Sequence, residues 1–454
     1  MCVLSKACRC SLAVVVFSAL WATAKADLIT PPITDFDTGQ PVMYPSYLTE
    51  YEGMLYFRSR LPGDGSVTGL WSCDGAYAYH VDDTGLGGVV TQPSYLGAYN
   101  GNLYFAGTAS SGATRLWQYN PASGVSLAPG SDTGTQQNPE ELTAYNGDLY
   151  FRATRYGNPP TNIGTELWKF DGASQTPIDM FPGTGNSYPQ HFIEYDGQLY
   201  FNACGESGQG TELWRYNGSG MPTNAATIYP NNGSSPEQFA IYDNRLFFSA
   251  YDGVHGRELW SYDATTGTPS LVADIALGGQ YDSSNPSNLC VYDGKLYFSA
   301  TDGPDQKHGY ELWSYDGTTP ERVTEINPTT DYFPGDDFEM DSSPADLTVF
   351  NGLLYFSAND GSHGRELWSF DGTTAEMVAD INPGLYGSEV SELTVYQNRL
   401  YFSADDHFTG VGDLQPRAFA LAVPEPGTLL LAAMAGLGML AYARRRQINA
   451  RSRS

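Results

Sequence analysis

The chain has 454 residues, with 23 Lys and Arg against 51 Asp and Glu, a formal charge of −28 at pH 7. A surface this acidic repels nucleic acid and anionic lipid and favours cations and basic partners. Six cysteines, half of them within the first ten residues, make neither a disulfide framework nor a zinc pattern.

Residues 1–26 read as a secretory signal peptide. Lys6 and Arg9 form a basic start, an apolar run follows from 12 to 21, and Ala24-Lys25-Ala26 supplies a small-x-small cleavage pattern. The run is short of the ~20 residues a spanning helix needs, which weighs against an uncleaved anchor. Residues 28–36 then look like an orphan fourth strand, because Ile33-Thr34-Asp35 echoes Val378-Ala379-Asp380 farther on.

Residues 27–422 are dominated by one repeat. The leucine of a Leu-Tyr/Phe-Phe core recurs at Leu55, Leu103, Leu149, Leu199, Leu246, Leu296, Leu354 and Leu400, at intervals of 46 to 58 residues. The tryptophan of a Leu-Trp core recurs at Trp71, Trp117, Trp168, Trp214, Trp260, Trp313 and Trp368. A period near 50 belongs to propeller arrays rather than helical solenoids.

Each repeat reads as four short strands, as at 347–350, 354–358, 366–371 and 377–381. The first two are joined by Asn-Gly or Asp-Gly, as at Asn100-Gly101 and Asn351-Gly352, which accept the positive φ angles of a two-residue hairpin. Alternating apolar positions bury both faces of each sheet against neighbours, and packing around an axis hides the edges. The expected fold is therefore an all-β propeller. Eight four-stranded blades follow if the N-terminal strand completes the last blade, with Ala418-Phe419-Ala420 replacing its missing Leu-Trp. Seven blades with an irregular end is the alternative.

The Glu-Leu-Trp-x-x-Asp-Gly-Thr core, complete at 311–318 and 366–373, resembles the ELWxxDGT repeat of large secreted bacterial proteins. The likeness covers most of 45–405 and has drifted around Trp117. It implies a repeat and an extracellular setting, and no activity.

Candidate chemistry is sparse. His255, His308, His363 and His407 occupy corresponding loops between second and third strands, near Asp252, Asp302, Asp360 and Asp405 or Asp406. A shared metal ring is one reading, and ordinary Asp-Gly turn chemistry the stronger. The insertion at 331–341 carries Asp331, Asp336, Asp337, Glu339 and Asp341, a set of oxygen donors suited to calcium, or a solvated acidic loop. Asp302-Gly-Pro-Asp305 is a second calcium candidate; no other cofactor is required. Glu166, Glu212, Glu258, Glu311 and Glu366 open third strands and could be imagined as glycosidase acids, but repetition at one blade position reads more simply as structural. Loop aromatics at Tyr156, Tyr188, Tyr281, Tyr332 and Tyr386, with Asn and Asp nearby, suit carbohydrate. Cys73, Cys204 and Cys290 remain after the signal peptide, and their spacing assigns no pair.

The C-terminus closes with Val423-Pro424-Glu425-Pro426, an uncharged apolar stretch at 427–443, Arg444-Arg445-Arg446 and a basic tail at 447–454. Seventeen helical residues rise about 25 Å, barely a bilayer span, and the arginines would stay cytoplasmic. A plain single-span anchor is one reading. Residues 423–446 resemble the PEP-CTERM sorting signal, which implies recognition of Pro424, Glu425 and Pro426 by an exosortase, with transient anchoring in the inner membrane. Without both ends the chain holds 15 basic and 50 acidic side chains, a net of −35. The sequence therefore describes an exported binding or scaffold propeller of the cell envelope, with exopolysaccharide or an envelope protein as partner. The alternative is an extracytoplasmic propeller enzyme, polysaccharide-active or quinone-dependent.

Overall fold

The Leu-Tyr-Phe alternation decides the architecture. In each second strand the Leu and Phe face one neighbouring sheet and the intervening Tyr, or Phe247 in one blade, faces the other, so no blade has a solvent face. The structure is a computed structural model that describes residues 29, 31–61, 64–81, 90–109, 112–131, 137–155, 163–183, 185–205, 210–230, 232–303, 308–327, 341–406 and 416–422. Among these residues all regular structure is β, arranged as eight sheets that form an eight-bladed propeller.

Blades 2 to 7 span 91–127, 140–178, 190–226, 237–273, 287–322 and 345–379, each a four-stranded antiparallel meander. Blade 7 is representative, with strands Ala345–Phe350, Leu353–Asn359, Arg365–Phe370 and Ala375–Ala379. Both central residues of its first hairpin have positive φ, 47° at Asn351 and 78° at Gly352. That geometry matches the strand twist, and glycine meets it without Cβ strain. At the same end, between the third and fourth strands, Asp371 Oδ1 accepts the amides of Thr373 and Thr374, both at 2.8 Å, and closes the Asp-Gly-Thr-Thr turn.

Eight separate apolar clusters fill the eight seams, including the one between the last blade and the first. Between blades 4 and 5, Tyr200 and Leu213 of one meet Leu246, Phe248, Ala250 and Trp260 of the other. In blade 8, Phe419 stands opposite Phe402 as Trp168 stands opposite Phe151 in blade 3, each pair stacked.

The N-terminal strand is shared between two blades rather than given wholly to the last. Blade 8 contributes three strands of its own, Ser391–Tyr396, Arg399–Ala404 and Arg417–Ala422. Beside the third, Ile29 bridges Leu421 and the Ile33 amide donates to the Ala418 carbonyl at 2.8 Å. Thr34–Asp35 then pairs in parallel with Tyr77 and Ala78, giving blade 1 a fifth strand. A parallel addition at an outer edge has no counterpart in the repeat, so the repeat could not predict it.

A second device links the blades. First strands end in tyrosine, whose hydroxyl donates to a hairpin carbonyl of the next blade: Tyr51 to Gly101, Tyr145 to Gly197 and Tyr242 to Gly294, at 2.8 to 3.0 Å. Tyr396 closes the circle onto Gly53 at 2.5 Å. Blade 7 ends its first strand in Phe350 and has no such hydroxyl.

Candidate functional site

The recurrent glutamates occupy one equivalent position in five blades. Each opens a third strand and is buried, and each gathers the chain that leads from its own blade to the next. Glu258 accepts the amides of Ile275 and Ser284 at 2.9 and 3.0 Å and the Ser284 hydroxyl. Glu166 does the same with Met180 and Ser187, and Glu366 takes the amides of Ile381 and Asn382 and the Ser388 hydroxyl. Glu311 takes the amide of Ile326 and the hydroxyl of Ser342, and Glu212 takes Ile228, Tyr229 and Ser234. Burial pushes Glu166, Glu258, Glu311 and Glu366 up to about 7, although each accepts hydrogen bonds that favour its charged form. These carboxyls tie each blade to the connector that leads to the next.

The sequence carries a signal for the partner serines. Ser-x-Pro stands three residues before four of the first strands, at Ser187, Ser234, Ser284 and Ser342, and Ser388 holds the same place before a valine. The middle residue has positive φ at Tyr188, Ser235, Asn285 and Ser343. It turns the chain into the strand, and the proline after it is confined to extended entry.

The axis presents a different set. First strands neighbour one another in a closed circle, from blade 1 through blade 8 and back. Each carries a bulge near its start, at Tyr47, Tyr95, Glu141, His191, Gln238, Asn288, Asp346 and Glu392, with φ between 52° and 62°. A non-glycine residue in that region costs about 1 kcal/mol, and the bulge re-aims its side chain. Here the side chains reach forward to the bulge of the next blade. Gln238 accepts the Asn288 amide at 2.9 Å, Asn288 that of Asp346 at 3.2 Å, and Glu392 that of Tyr47 at 2.9 Å. Asp346 takes the Glu392 amide and Glu141 that of His191. Burial raises the carboxyls of Glu141, Asp346 and Glu392 against these bonds. Tyr47 and Tyr95 instead pair their rings at 5.4 Å.

The predicted histidine loops close on themselves. His255, His308 and His363 each hold their Nδ1 2.7 Å from the carboxylate of Asp252, Asp302 and Asp360. That bond raises His255 and His363. Burial works against Asp252 and Asp360, but hydrogen bonds from the following residues hold them below the usual carboxylate range. Each pair lies within one loop. His407 lies outside the described residues, and Asp406 pairs with Arg417.

Of the proposed calcium donors, Asp331, Asp336, Asp337 and Glu339 lie outside the described residues, as does Asp305. Asp341 accepts the Tyr310 amide at 2.7 Å. Among the described residues no three His, Cys, Asp or Glu side chains group as a metal site. The seven tryptophans lie in third strands; Trp71, Trp117, Trp168, Trp260 and Trp313 are buried, and Trp214 and Trp368 are half-buried in seams. Cys73, Cys204 and Cys290 are free thiols.

The face that carries the loops and blade connectors also carries two adjoining clefts, of about 450 and 220 Å³, which share Arg365 and Glu389. Asp346, Ser357, Ser391 and Asp405 line the larger; Asp341, Asn359 and Tyr386 line the smaller. Arg365 is anchored by Nη1 to the carbonyl of Ser343 at 2.9 Å and the hydroxyl of Ser357 at 3.0 Å. Gly364 and Gly387 meet so closely at the rim that a Cβ on either would strike the other's main chain. Of the predicted loop aromatics, Tyr188, Tyr281 and Tyr386 are exposed on this face, and Tyr156 and Tyr332 lie outside the described residues. Tyr386 borders the smaller cleft, with 63% of its surface exposed.

Comparison with known proteins bears mainly on the C-terminus. The PEP-CTERM protein-sorting motif matches residues 422–447, which include Val423, Pro424, Glu425, Pro426 and Arg444, Arg445 and Arg446. The motif implies export to the cell envelope and processing by an exosortase. Residues 423–454 lie outside the described ones, and no described helix is long and apolar enough to cross a membrane. Curated proteins give no match. Among solved structures, a puromycin hydrolase is 12% identical with a TM-score of 0.48, over 81% of this chain and 60% of its own. A puromycin-hydrolyzing peptidase of Mycobacterium tuberculosis is 10% identical with a TM-score of 0.49, over 80% and 57%. An oligogalacturonate lyase in complex with manganese is 13% identical with a TM-score of 0.44, over 87% and 97%. The chain thus spans about three-fifths of the length of the two hydrolases. Likeness at this level says nothing of activity.

Proposed function

We propose that this chain is an exported, exosortase-processed propeller that binds polysaccharide at the cell surface through the paired clefts of blades 7 and 8. The observation that carries the reading is Tyr386. Its exposed ring borders a cleft whose lining includes the carboxylates of Asp341 and Glu389, the amide of Asn359 and the guanidinium of Arg365. A flat apolar face beside fixed polar groups is the recognition chemistry of a sugar ring, and propeller loops are a rigid platform for it. The likeness to ELWxxDGT repeats supports an extracellular setting, and the sorting motif supports display or release at the envelope. The five clamp glutamates support a binding role over an acid–base one, because their carboxyls hold main chain. Calcium bound by the acidic insertion at 331–341 would be a structural accessory to this role.

The test is a glycan array and titration with residues 27–422. Saturable binding is expected, weakened about tenfold by Tyr386→Ala and unchanged by Tyr188→Ala, since single anchors carry most of such binding energy. Silence on polysaccharides with retained folding would overturn the glycan reading and leave a scaffold for an envelope protein.

A further inference from the structure

The two faces of the propeller differ in what leaves them. The last described strand, Arg417–Ala422, runs from one face to the other. Arg417 pairs with Ala404 at the cleft face, where Pro416 lines the larger cleft. Ala422 pairs with Arg399, the residue that follows the first hairpin turn of blade 8. The chain therefore leaves the fold at the hairpin face, and its ladder is intact to the last residue.

Four residues, 423–426, separate Ala422 from the apolar stretch that starts at Gly427. Fully extended, that tether spans about 18 Å. Whatever holds residues 427–443 must lie within that reach of the hairpin face. On the same face the penultimate residues of four successive first strands, Ile241, Val291, Val349 and Val395, form an aliphatic crescent exposed at 40 to 42%. The acidic turns around it, such as Asp263, Asp316 and Asp371, oppose burial in an anionic surface.

We infer that before processing the hairpin face of the propeller is apposed to the lipid bilayer, with the clefts on the outward face. The inference rests on the reading of residues 427–443 as a membrane anchor and adds an orientation to it. The partner is a lipid headgroup surface. The contact is one of apposition within a short tether, and the four crescent residues are uncharged. A propeller held this way offers its clefts to the exterior while it is still anchored, and an exosortase must work in the narrow gap beneath blade 8.

The test uses the full chain reconstituted into phosphatidylcholine vesicles whose headgroups carry a fluorescence quencher. A fluorescent amino acid is placed at Thr374, on the hairpin face, or at Ser362, on the cleft face; both are exposed and flank the same third strand of blade 7. Quenching several-fold stronger at 374 than at 362 is expected. A flexible Gly/Ser insert of about 20 residues after Ala422 should abolish the difference, since such a linker frees the fold from its tether. Equal quenching at the two sites with the native tether, or stronger quenching at 362, overturns the orientation while leaving the anchor standing. Failure of the full chain to stay with vesicles overturns the anchor and the orientation with it.

Discussion

Blades 3 to 7 and the arc of blades 8, 1 and 2 share one strand pattern but are held by different forces. In the regular arc every third strand opens with a clamp glutamate, and its partner serine lies in the connector just beyond, so each clamp forms within a few dozen residues. In the other arc the same position is Gly69, Arg115 or Arg417, as the strand registers show. There the ring is closed by contacts between the two ends of the domain. Ile33 meets Ala418, Tyr47 meets Glu392, Tyr396 meets Gly53, and Arg399 donates to the Gly75 carbonyl at 2.9 Å. Five of the seven chain-continuous connectors are thus secured locally by a glutamate. At the join, where there is no connector to clamp, long-range contacts take over, and they carry the larger cost of loop closure.

The comparison breaks first at the join. Deleting residues 27–35 removes Ile33 from the cluster it shares with Val42, Trp71 and Ala418. A loss of about 4 kcal/mol or more is expected, on the scale of emptying a core site. Urea titration followed by limited proteolysis would check it, with the first cuts expected in blades 8 and 1. If the regular arc fails at the same denaturant concentration as the join, the two arcs are one cooperative unit.

Glu258→Ala tests the regular arc. It leaves the buried amides of Ile275 and Ser284 without acceptors, at a cost of about 3 kcal/mol. Arg417→Ala, at the equivalent place in blade 8, breaks only a partly exposed pair with Asp406 and should cost about 1 kcal/mol. Equal costs would erase the distinction.

Acidity sharpens it further. Four clamp glutamates hold their protons up to about pH 7 in the folded chain, above the ordinary carboxylate range. A raised carboxyl adds stability that is fully present below its unfolded pKa and is lost as pH rises through the folded value. The melting temperature should therefore fall between pH 5 and about pH 8, and Glu366→Gln should flatten that slope. A variant of the join, such as Arg417→Ala, should keep it. The smallest effects belong to the tyrosine links: Tyr242→Phe should cost about 1 kcal/mol, and Phe350→Tyr should gain no more than that by adding a link where blade 7 lacks one.

Much of the ring was legible because its signals repeat. Leucine and tryptophan spacing, hairpin dipeptides and the alternation within Leu-Tyr-Phe each report local geometry, so blade count and strand order follow from them. The clamp serines were legible in principle as Ser-x-Pro before the first strand. Connector lengths hide them, for Ser187 follows its glutamate by 21 residues and Ser342 by 31. The axial bulges leave no such trace, since tyrosine, glutamate, histidine, glutamine, asparagine and aspartate all fill the position and only the backbone angle is common. The clefts are illegible for a different reason: Asp346, Arg365, Glu389 and Asp405 come from blades 7 and 8 and the connector between them, and only the packing of one blade on the next brings them to one place.

The tyrosine hydroxyls and the axial side chains all reach from one blade to the following one. The ring therefore has a sense of rotation in its bonding as well as in its chain. A tile laid this way rests on the one before it and covers the one after. Damage to a blade takes a donor from its successor and an acceptor from its predecessor, so its two neighbours lose opposite halves of the same kind of link.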